Sequence, residues 1–298
     1  MTESPAQRIA LITGANTGIG RVTALELARR GMRLFLACRT LERTQAVMDE
    51  IAAAHPLAQV EFLPLDLGDL DSVRACAQRF LASGSPLHLL INNAGLAGKR
   101  GLTKQGFELA FGTNHLGHFL LTQLLLERIK ASAPARIVTV ASRAHKRVAG
   151  IDWDVLRQRT RGLTGFREYG VSKLCNVLFS AELGRRLAGS GVSTYALHPG
   201  VVASDVWRQV PAPLRWLIKR NMITPEEGAR TTLYCATAPE LATQSGLYYD
   251  KCAVREPHPN GRDQAAAEKL WRLSEEWVRS VPLQALGPRQ TSAPWGVM

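Results

Sequence analysis

The 298-residue chain has few cysteines, and they stand far apart. The five thiols are odd in number and form no CxxC pair, which argues against a disulfide framework and a thiolate zinc site. No apolar run approaches the roughly 20 residues that span a bilayer, and residues 1–8 contain no apolar signal region. From these absences we expect a cytoplasmic protein with reduced thiols and no bound metal.

The positive charge of the chain, +12 at pH 7, is not gathered in one block. Arginine supplies 29 of the 37 basic residues, and the arginines are spread from Arg8 to Arg289. Nucleic acid, an anionic membrane surface and a polyanionic small ligand are the three partners that such a charge suits. Because the arginines form no continuous stripe, we expect no nucleic-acid binding, whereas peripheral membrane contact stays open.

Short apolar runs alternate with helical stretches through the first two-thirds of the chain. Several runs are almost continuously apolar, which is typical of parallel strands covered on both faces. The alternation predicts an α/β fold with a doubly wound parallel sheet of the Rossmann type. The predicted strands are Ile9–Thr13, Leu34–Ala37, Val60–Pro64, Leu87–Ile91, Ile137–Ala141, Ser193–Leu197 and Leu247–Asp250, and the predicted helices include Arg21–Arg30, Leu70–Leu81, Phe119–Lys130 and Ser172–Leu187.

No Pro/Gly/Ser-rich linker divides the sequence. We therefore predict a single domain over residues 1–298, with a loose tail after about residue 290. An apolar segment with a basic rim at about residues 203–222 is predicted to be either a substrate lid, a membrane contact or a helix packed on its own domain.

A glycine-rich turn directly follows the first predicted strand and opens the first predicted helix. Glycines there let the backbone turn tightly and approach a pyrophosphate, to which the helix N-terminus offers free N–H groups. Because the turn lies between a strand and a helix, it predicts a dinucleotide-binding site. The residues of this turn that we expect to contact the cofactor are Gly14, Asn16, Thr17, Gly18, Ile19 and Gly20.

Arg39 stands at the end of the second strand, where NAD-preferring folds place an acidic residue. A carboxylate would repel a 2′-phosphate, whereas a guanidinium binds it bidentately. Arg39 therefore indicates NADP(H), with Arg21 as a candidate helper. The alternative is a solvated arginine at the start of a helix.

Tyr169 and Lys173 are four residues apart, which on a helix puts both side chains on one face. A phenol is a poor base near pH 7, and a neighbouring ammonium is expected to lower its pKa, so that proton exchange with an alcohol becomes feasible. Ser142 ends a predicted strand, as ligand-binding residues do in open α/β sheets, and its hydroxyl could donate to a substrate oxygen.

The order of these motifs resembles that of the short-chain dehydrogenases and reductases, from Arg8 to about Asp250. The motifs that carry the resemblance are the glycine-rich turn, Asp66-Leu67, Asn92-Asn93-Ala94-Gly95, Ser142, Tyr169-x-x-x-Lys173 and Pro199-Gly200. The segments Leu36–Arg39, Asn114–Thr122 and Ala196–Gly200 are similar to the retinol dehydrogenase branch, whose members mostly use NADP. The stretch between Ser142 and Tyr169 is longer than is usual in the family.

The resemblance implies a catalytic tetrad in which Asn114 positions a water in a proton relay, and its members are Asn114, Ser142, Tyr169 and Lys173. It also implies that Asp66 contacts the adenine and that Ser204 replaces a threonine that touches the cofactor. Further implied cofactor contacts are Leu67, Asn92, Ala94, Gly95, Tyr169, Lys173, Pro199, Gly200 and Val202.

The leading hypothesis is an NADP(H)-dependent oxidoreductase that acts on a small apolar carbonyl or alcohol, such as a retinal-like aldehyde. The alternative is a catalytically silent NADP(H)-binding sensor or scaffold. A sensor would need Gly18 and Arg39 but has no need of the Tyr169 hydroxyl, so the complete tetrad favours the enzyme. A homo-oligomer stays open.

Overall fold

The computed structural model describes residues 7–201 and 222–280, and in these ranges the strands form one eight-stranded sheet. The strands are β1 Ile9–Thr13, β2 Arg33–Cys38, β3 Val60–Pro64, β4 Leu89–Asn92, β5 Ala135–Val140, β6 Val192–His198, β7 Leu247–Asp250 and β8 Ala253–Val254. The helices are α1 Gly18–Arg29, α2 Leu41–Ala54, α3 Leu70–Ala82, α4 Leu109–Phe111, α5 Gly117–Lys130, α6 Phe166–Arg186, α7 Pro225–Thr237 and α8 Gln264–Arg279.

The strands lie in the order β3-β2-β1-β4-β5-β6-β7-β8 across the sheet. The chain therefore adds strands to one side of β1 up to β3 and then to the other side from β4 onward, and the reversal point lies between β1 and β4. All neighbours from β3 to β7 pair in parallel, and only β8 is antiparallel. In an open sheet of this kind a ligand binds outside the carboxyl ends of the strands, at the reversal point. The doubly wound α/β prediction is confirmed, and it directs attention to the loops after β1, β4, β5 and β6.

Helices cover both faces of the sheet, which explains the nearly continuous apolar runs. Leu11 of β1 belongs to the core shared with α3, α5, α6 and α8, whereas its neighbours Ala10 and Ile12 belong to the core on the α1, α2 and α7 side. Alternate residues of one strand therefore pack into different layers, and both layers are apolar.

The end of α1 shows how the local sequence sets an element boundary. Gly31 adopts a positive φ of 78°. Its N–H donates to the Ala28 carbonyl at 2.8 Å, and the next N–H, of Met32, donates to Leu27 at 3.1 Å. This bond pair is the Schellman motif, which favours glycine because the left-handed conformation crowds a Cβ.

Helix α6 starts six residues earlier than the sequence suggests, at Phe166 rather than Ser172. Gly165 precedes it with a φ of 66°, so the chain can enter the helix directly from the loop. As a result Tyr169 lies one turn inside the helix, where its backbone is fixed by hydrogen bonds.

Helix α8, which the sequence analysis did not identify, covers the outer side of α5 and α6. Trp271 packs edge-on against Phe119 of α5 at a centroid distance of 5.1 Å and stacks on Phe179 of α6 at 6.0 Å. This aromatic cluster anchors the last described helix on the domain core.

The expected extent of a single domain over residues 1–298 stays a prediction. The expected tail after about residue 290 lies outside the described residues.

Candidate active site

The glycine-rich turn joins β1 to α1 at the strand-order reversal. Gly14 and Gly18 both have positive φ values, of 67° and 55°. A Cβ on Gly14 would lie 2.9 Å from Ala94 Cα, and one on Gly20 would lie 2.6 Å from Asn93 Nδ2 and collide with the Gly14 carbonyl. Only glycine therefore lets this turn pack against the loop after β4.

Thr13, the last residue of β1, holds that loop in place. Its hydroxyl accepts hydrogen bonds from the N–H groups of Asn93 at 2.9 Å and Ala94 at 3.0 Å. The Asn93 amide in turn donates to the Thr13 carbonyl at 2.8 Å. The two loops that border the crevice thus form one rigid unit.

His118 extends this unit into α5. Its Nδ1 lies 3.0 Å from the Asn114 carbonyl, which can only accept, so Nδ1 carries the proton. Its Nε2 therefore accepts from the Thr13 hydroxyl at 2.8 Å. Complete burial lowers the pKa of His118 to about 4, which keeps the ring neutral in this arrangement.

Asn114 lies in a π-helical turn, Gly112–Leu116, just before α5. Its amide is fully buried and bonds Leu96 twice, since Oδ1 accepts from the N–H at 2.9 Å and Nδ2 donates to the carbonyl at 2.9 Å. The second Nδ2 proton goes to the Ser172 hydroxyl at 2.9 Å. The amide orientation is thereby fixed.

Ser172 links Asn114 to the backbone of Tyr169. Its hydroxyl accepts from Asn114 and donates to the Tyr169 carbonyl at 2.8 Å. The sequence analysis missed Ser172, although it stands beside Lys173 on the same helix. The π-helical turn before α5, helix α6 and the end of β5 bring the four proposed tetrad residues to one end of the sheet.

Burial raises the pKa of Tyr169, and a hydrogen bond with Ser142 opposes that shift. The expectation that the neighbouring Lys173 ammonium lowers the pKa of Tyr169 is wrong for the protein without its cofactor. Lys173 Nζ lies 5.7 Å from the Tyr169 ring centroid, and desolvation of the phenol is the largest cause of the shift.

Lys173 is buried, and no carboxylate of residues 7–201 and 222–280 forms an ion pair with it. Its Nζ donates one hydrogen bond, of 2.8 Å, to the Val140 carbonyl at the end of β5. Burial lowers its pKa to about 8. An ammonium has three N–H donors, so two of them are available beyond the bond to Val140. The loop after β4 passes close to Nζ, since a Cβ on Gly95 would lie 3.5 Å from it.

Ser142 follows β5 and is positioned by His145. The Ser142 carbonyl accepts from His145 Nδ1 at 2.6 Å, and His145 Nε2 accepts from the His258 N–H at 3.3 Å. Burial lowers the pKa of His145, which agrees with a neutral ring bonded in this way. The sequence analysis did not identify this contact.

Arg39 lies at the opposite end of the crevice, after β2, with its side chain exposed. Arg21, the candidate helper of Arg39 in binding a 2′-phosphate, is engaged elsewhere. The Arg21 guanidinium makes a two-point ion pair with Glu50 of α2, including an Nε–Oε2 bond of 2.8 Å. Arg39, in contrast, forms no ion pair with a carboxylate among the described residues.

The remaining predicted cofactor contacts lie along the same edge. Asp66 is exposed after β3 and accepts from the Gly68 N–H at 2.9 Å. Asn92 is buried at the end of β4, where its Oδ1 has no hydrogen-bond partner within the described ranges of the chain. Leu67, Pro199 and Gly200 follow β3 and β6, whereas Val202, Ser204 and nearly all of the expected lid lie outside the described residues.

The crevice fits a dinucleotide. The turn leaves no room for side chains at Gly14 and Gly20, and no acidic residue lies in the first turn of α1 to repel an anion that binds its N–H groups.

The histidines of this region form hydrogen bonds within the protein. Besides His118, His115 bonds Ser274 at 3.1 Å, and His198 Nδ1 lies 3.3 Å from the Arg143 N–H. In residues 7–201 and 222–280 no group of His, Cys, Asp or Glu could hold a metal.

Comparison with known proteins agrees with this geometry. Residues 8–154 match the family model for short chain dehydrogenases. The chain is 47% identical to retinol dehydrogenase 12 of Homo sapiens over 272 residues, covering 90% of this chain and 85% of the relative.

Two solved structures extend the comparison. An uncharacterised protein from Mycobacterium paratuberculosis is 38% identical with a TM-score of 0.72, covering 93% of this chain and 95% of its own. The Pseudomonas aeruginosa RhlG/NADP active-site complex is 26% identical with a TM-score of 0.66, covering 82% and 94%. The protein is therefore a pyridine-nucleotide oxidoreductase acting on CH–OH/C=O groups, and it belongs to the retinol dehydrogenase-like branch of the short-chain dehydrogenase family.

Proposed function

We propose that the protein is an NADP(H)-dependent oxidoreductase that interconverts an apolar aldehyde or ketone and the corresponding alcohol. The observation that carries this proposal is the buried hydrogen-bond chain from Asn114 through Ser172 to Tyr169, next to the buried Lys173. Burying these polar groups costs free energy unless they are paired, and a protein that only binds a nucleotide has no need of such an arrangement beside a phenol.

The cofactor would lie across the carboxyl ends of the strands. We assign its pyrophosphate to Gly14–Gly20 and the N-terminus of α1, the adenine to Asp66 and Leu67, and the nicotinamide half to Asn92, Gly95 and Pro199–Gly200. When bound, it supplies or accepts the hydride. The protein must therefore bind and orient both reactants and manage a proton.

Tyr169 is the proposed proton donor in reduction and the acceptor in oxidation. Reduction of a carbonyl leaves negative charge on its oxygen, which the Tyr169 hydroxyl protonates while Ser142 donates a hydrogen bond to the same oxygen. Because burial raises the pKa of Tyr169, the protein by itself keeps the phenol protonated near pH 7. Lys173, held on the Val140 carbonyl, orients ribose hydroxyls and favours the phenolate once the proton has left.

Preference for NADP(H) rests on Arg39. Its exposed guanidinium follows β2, where a 2′-phosphate would lie, and it has no carboxylate partner among the described residues. The RhlG/NADP complex provides a related example of this fold with NADP. We assign Arg39 to the 2′-phosphate through charge-assisted hydrogen bonds.

An apolar substrate is proposed from the similarity to retinol dehydrogenase 12 and from the Trp- and Leu-containing segment at 203–222. If that segment covers the substrate, each buried methylene contributes up to about 0.8 kcal/mol. Longer aldehydes should then have higher kcat/KM values than short ones. The cytoplasmic location expected from the sequence remains a prediction.

The test is a panel of aldehydes, ketones and alcohols of increasing chain length, assayed with NADPH/NADP⁺ and NADH/NAD⁺ by nicotinamide absorbance. We expect turnover of long apolar aldehydes with NADPH and a lower kcat/KM with NADH. Preference for small polar ketones would contradict the substrate assignment. NADPH binding without turnover of any compound would favour the sensor.

A further inference from the structure

His118 is a buried histidine whose two ring nitrogens face different parts of the active site. It lies in the first turn of α5 and is 1% exposed. Its Nε2 is 2.8 Å from the hydroxyl of Thr13, which ends β1 at the glycine-rich turn. Its Nδ1 is 3.0 Å from the carbonyl of Asn114, in the π-helical turn. The ring therefore joins the proposed cofactor turn to the proposed tetrad.

The hydrogen bonds of the Thr13 hydroxyl determine the direction of the first contact. The hydroxyl accepts from the N–H groups of Asn93 and Ala94, which occupies both of its lone pairs. Its single proton must then be donated, and His118 Nε2 at 2.8 Å is a much closer acceptor than the Ile91 carbonyl at 3.4 Å. Nε2 is therefore the ring nitrogen without a proton.

The other ring nitrogen leads to the same tautomer independently. A carbonyl only accepts, so the contact with Asn114 requires a proton on Nδ1 of His118. Burial lowers the pKa of His118 to about 4, and the Lys173 ammonium also disfavours a charged ring. One neutral tautomer thus satisfies both partners, with one donor and one acceptor.

Each contact extends to groups that the proposed reaction uses. Asn114 donates to the Ser172 hydroxyl at 2.9 Å, and that hydroxyl donates to the Tyr169 carbonyl at 2.8 Å. The Nδ1 bond therefore holds the residue at which the chain toward Tyr169 begins. The Nε2 bond directs the Thr13 proton away from the loop after β4, so that both lone pairs remain for the N–H groups of that loop.

We propose that His118 is a positioning residue with two separable tasks. Its Nδ1 holds the backbone of Asn114 for proton transfer, and its Nε2 holds the Thr13 hydroxyl and thereby the loop on which the nicotinamide half of the cofactor lies. This proposal rests on the proposed function. A histidine that only stabilised the fold would contribute to kcat and NADPH affinity alike, whereas these two tasks separate the two quantities.

Two substitutions each keep one half of the ring's hydrogen bonding. His118→Gln places an amide oxygen near the position of Nε2 and removes the donor at Nδ1. We expect it to lower kcat by about fivefold and to leave the NADPH dissociation constant within about twofold of wild type. His118→Asn places an amide N–H near the position of Nδ1 and removes the acceptor at Nε2. It should raise the NADPH dissociation constant by about fivefold and leave kcat nearly unchanged.

Amide hydrogen exchange tests the same separation in the protein without cofactor or substrate. The Leu96 N–H donates to Asn114 Oδ1 at 2.9 Å, so its exchange reports on Asn114. The Ala94 N–H donates to the Thr13 hydroxyl, so its exchange reports on Thr13. His118→Gln should speed exchange at Leu96 by about fivefold, and His118→Asn should do so at Ala94.

His88→Gln is the matched control. His88 Nδ1 accepts from the Ile9 N–H at 3.0 Å, at the opposite end of β1 from the glycine-rich turn. This variant also loses a histidine hydrogen bond to β1, but it should keep wild-type kcat, NADPH affinity and exchange at Leu96 and Ala94. Melting temperatures establish that each variant is folded.

Three results would overturn the proposal. They are an equal loss of kcat and NADPH affinity in both His118 variants, wild-type exchange at Leu96 and Ala94 in both, or the same changes in His88→Gln. A wild-type protein that turned over no carbonyl would contradict the proposed function instead, and exchange at Leu96 and Ala94 would still decide whether His118 holds the two groups separately.

Discussion

The two ends of the cofactor crevice are built in different ways. At the catalytic end, Asn114 and Lys173 are buried, and each bonds a backbone group: Asn114 bonds Leu96 in the loop after β4, and Lys173 bonds Val140 of β5. At the adenosine end, Arg39 is an exposed side chain on a short connection between β2 and α2. One end is preorganised by the core, and the other is a solvated charge on the surface.

This difference separates two properties of the enzyme. Chemistry depends on groups whose orientation the core determines, so their replacement should cause large losses of turnover. Cofactor preference depends on a surface charge, so it should change without loss of the fold. The following predictions test that separation, from the largest expected effect to the smallest.

Lys173→Met should reduce kcat/KM for NADPH by about 10²-fold or more, because it removes the ammonium from the site. The variant should nevertheless melt no lower than wild type at pH 7. The folded-state pKa of Lys173 is depressed to about 8, so the unfolded state binds its proton more tightly and the buried charge costs stability. A thermal melt and steady-state kinetics provide both values. A melting temperature several degrees lower would contradict this account of Lys173.

Arg39→Asp should lower NADPH affinity by tenfold or more and bring NADH affinity close to or above it. A charge-assisted hydrogen bond contributes about 1.5–3 kcal/mol, and a carboxylate would repel the 2′-phosphate. Fluorescence titration with both nucleotides measures the change. Arg21→Gln is the matched control, since Arg21 is engaged by Glu50 and should affect the preference little. Equal effects of the two variants would contradict the assignment.

The kcat/KM for NADPH in carbonyl reduction should fall as the pH rises past the pKa of Lys173. The ammonium is present below about pH 8 and is lost above it, so kcat/KM for NADPH should be level near pH 7 and fall by about tenfold toward pH 9. Initial rates across this range test the sign. A rate that rises with pH in the reductive direction would contradict it.

Ser172→Ala should reduce kcat by about fivefold and leave NADPH affinity nearly unchanged. The change removes the hydroxyl that joins Asn114 to Tyr169, and neutral hydrogen bonds contribute about 0.5–1.5 kcal/mol each. Ser190→Ala, in the loop after α6, is a suitable control. Separate kcat and KM values decide the prediction, and a loss confined to NADPH affinity would place Ser172 in cofactor binding.

Much of the fold follows from the sequence because the strands are apolar on both faces and glycines mark their turns. The bounds of β1, β3 and β7 are as predicted. The start of α6 was missed because Phe166–Val171 has no strong helical periodicity, and the positive φ of Gly165 became evident only in three dimensions.

The identities of the site residues were accessible from motifs, but the contacts among them were not. Asn114 lies in a π-helical turn and bonds Leu96, which is 18 residues away in the sequence. The roles of His118 and His145 depend on which ring nitrogen carries the proton, and only the acceptors around each ring determine that. The sign of the Tyr169 pKa shift likewise required the depth of burial.

The most direct test of the proposed chemistry is single-turnover reduction of a good aldehyde substrate by wild type and Tyr169→Phe, alongside NADPH titration. The substitution removes one hydroxyl and no carbon. NADPH affinity and melting temperature should therefore change little, while the rate of hydride transfer falls by about 10²-fold or more. A Tyr169→Phe variant that reduces the aldehyde at a near-normal rate would show that another group supplies the proton.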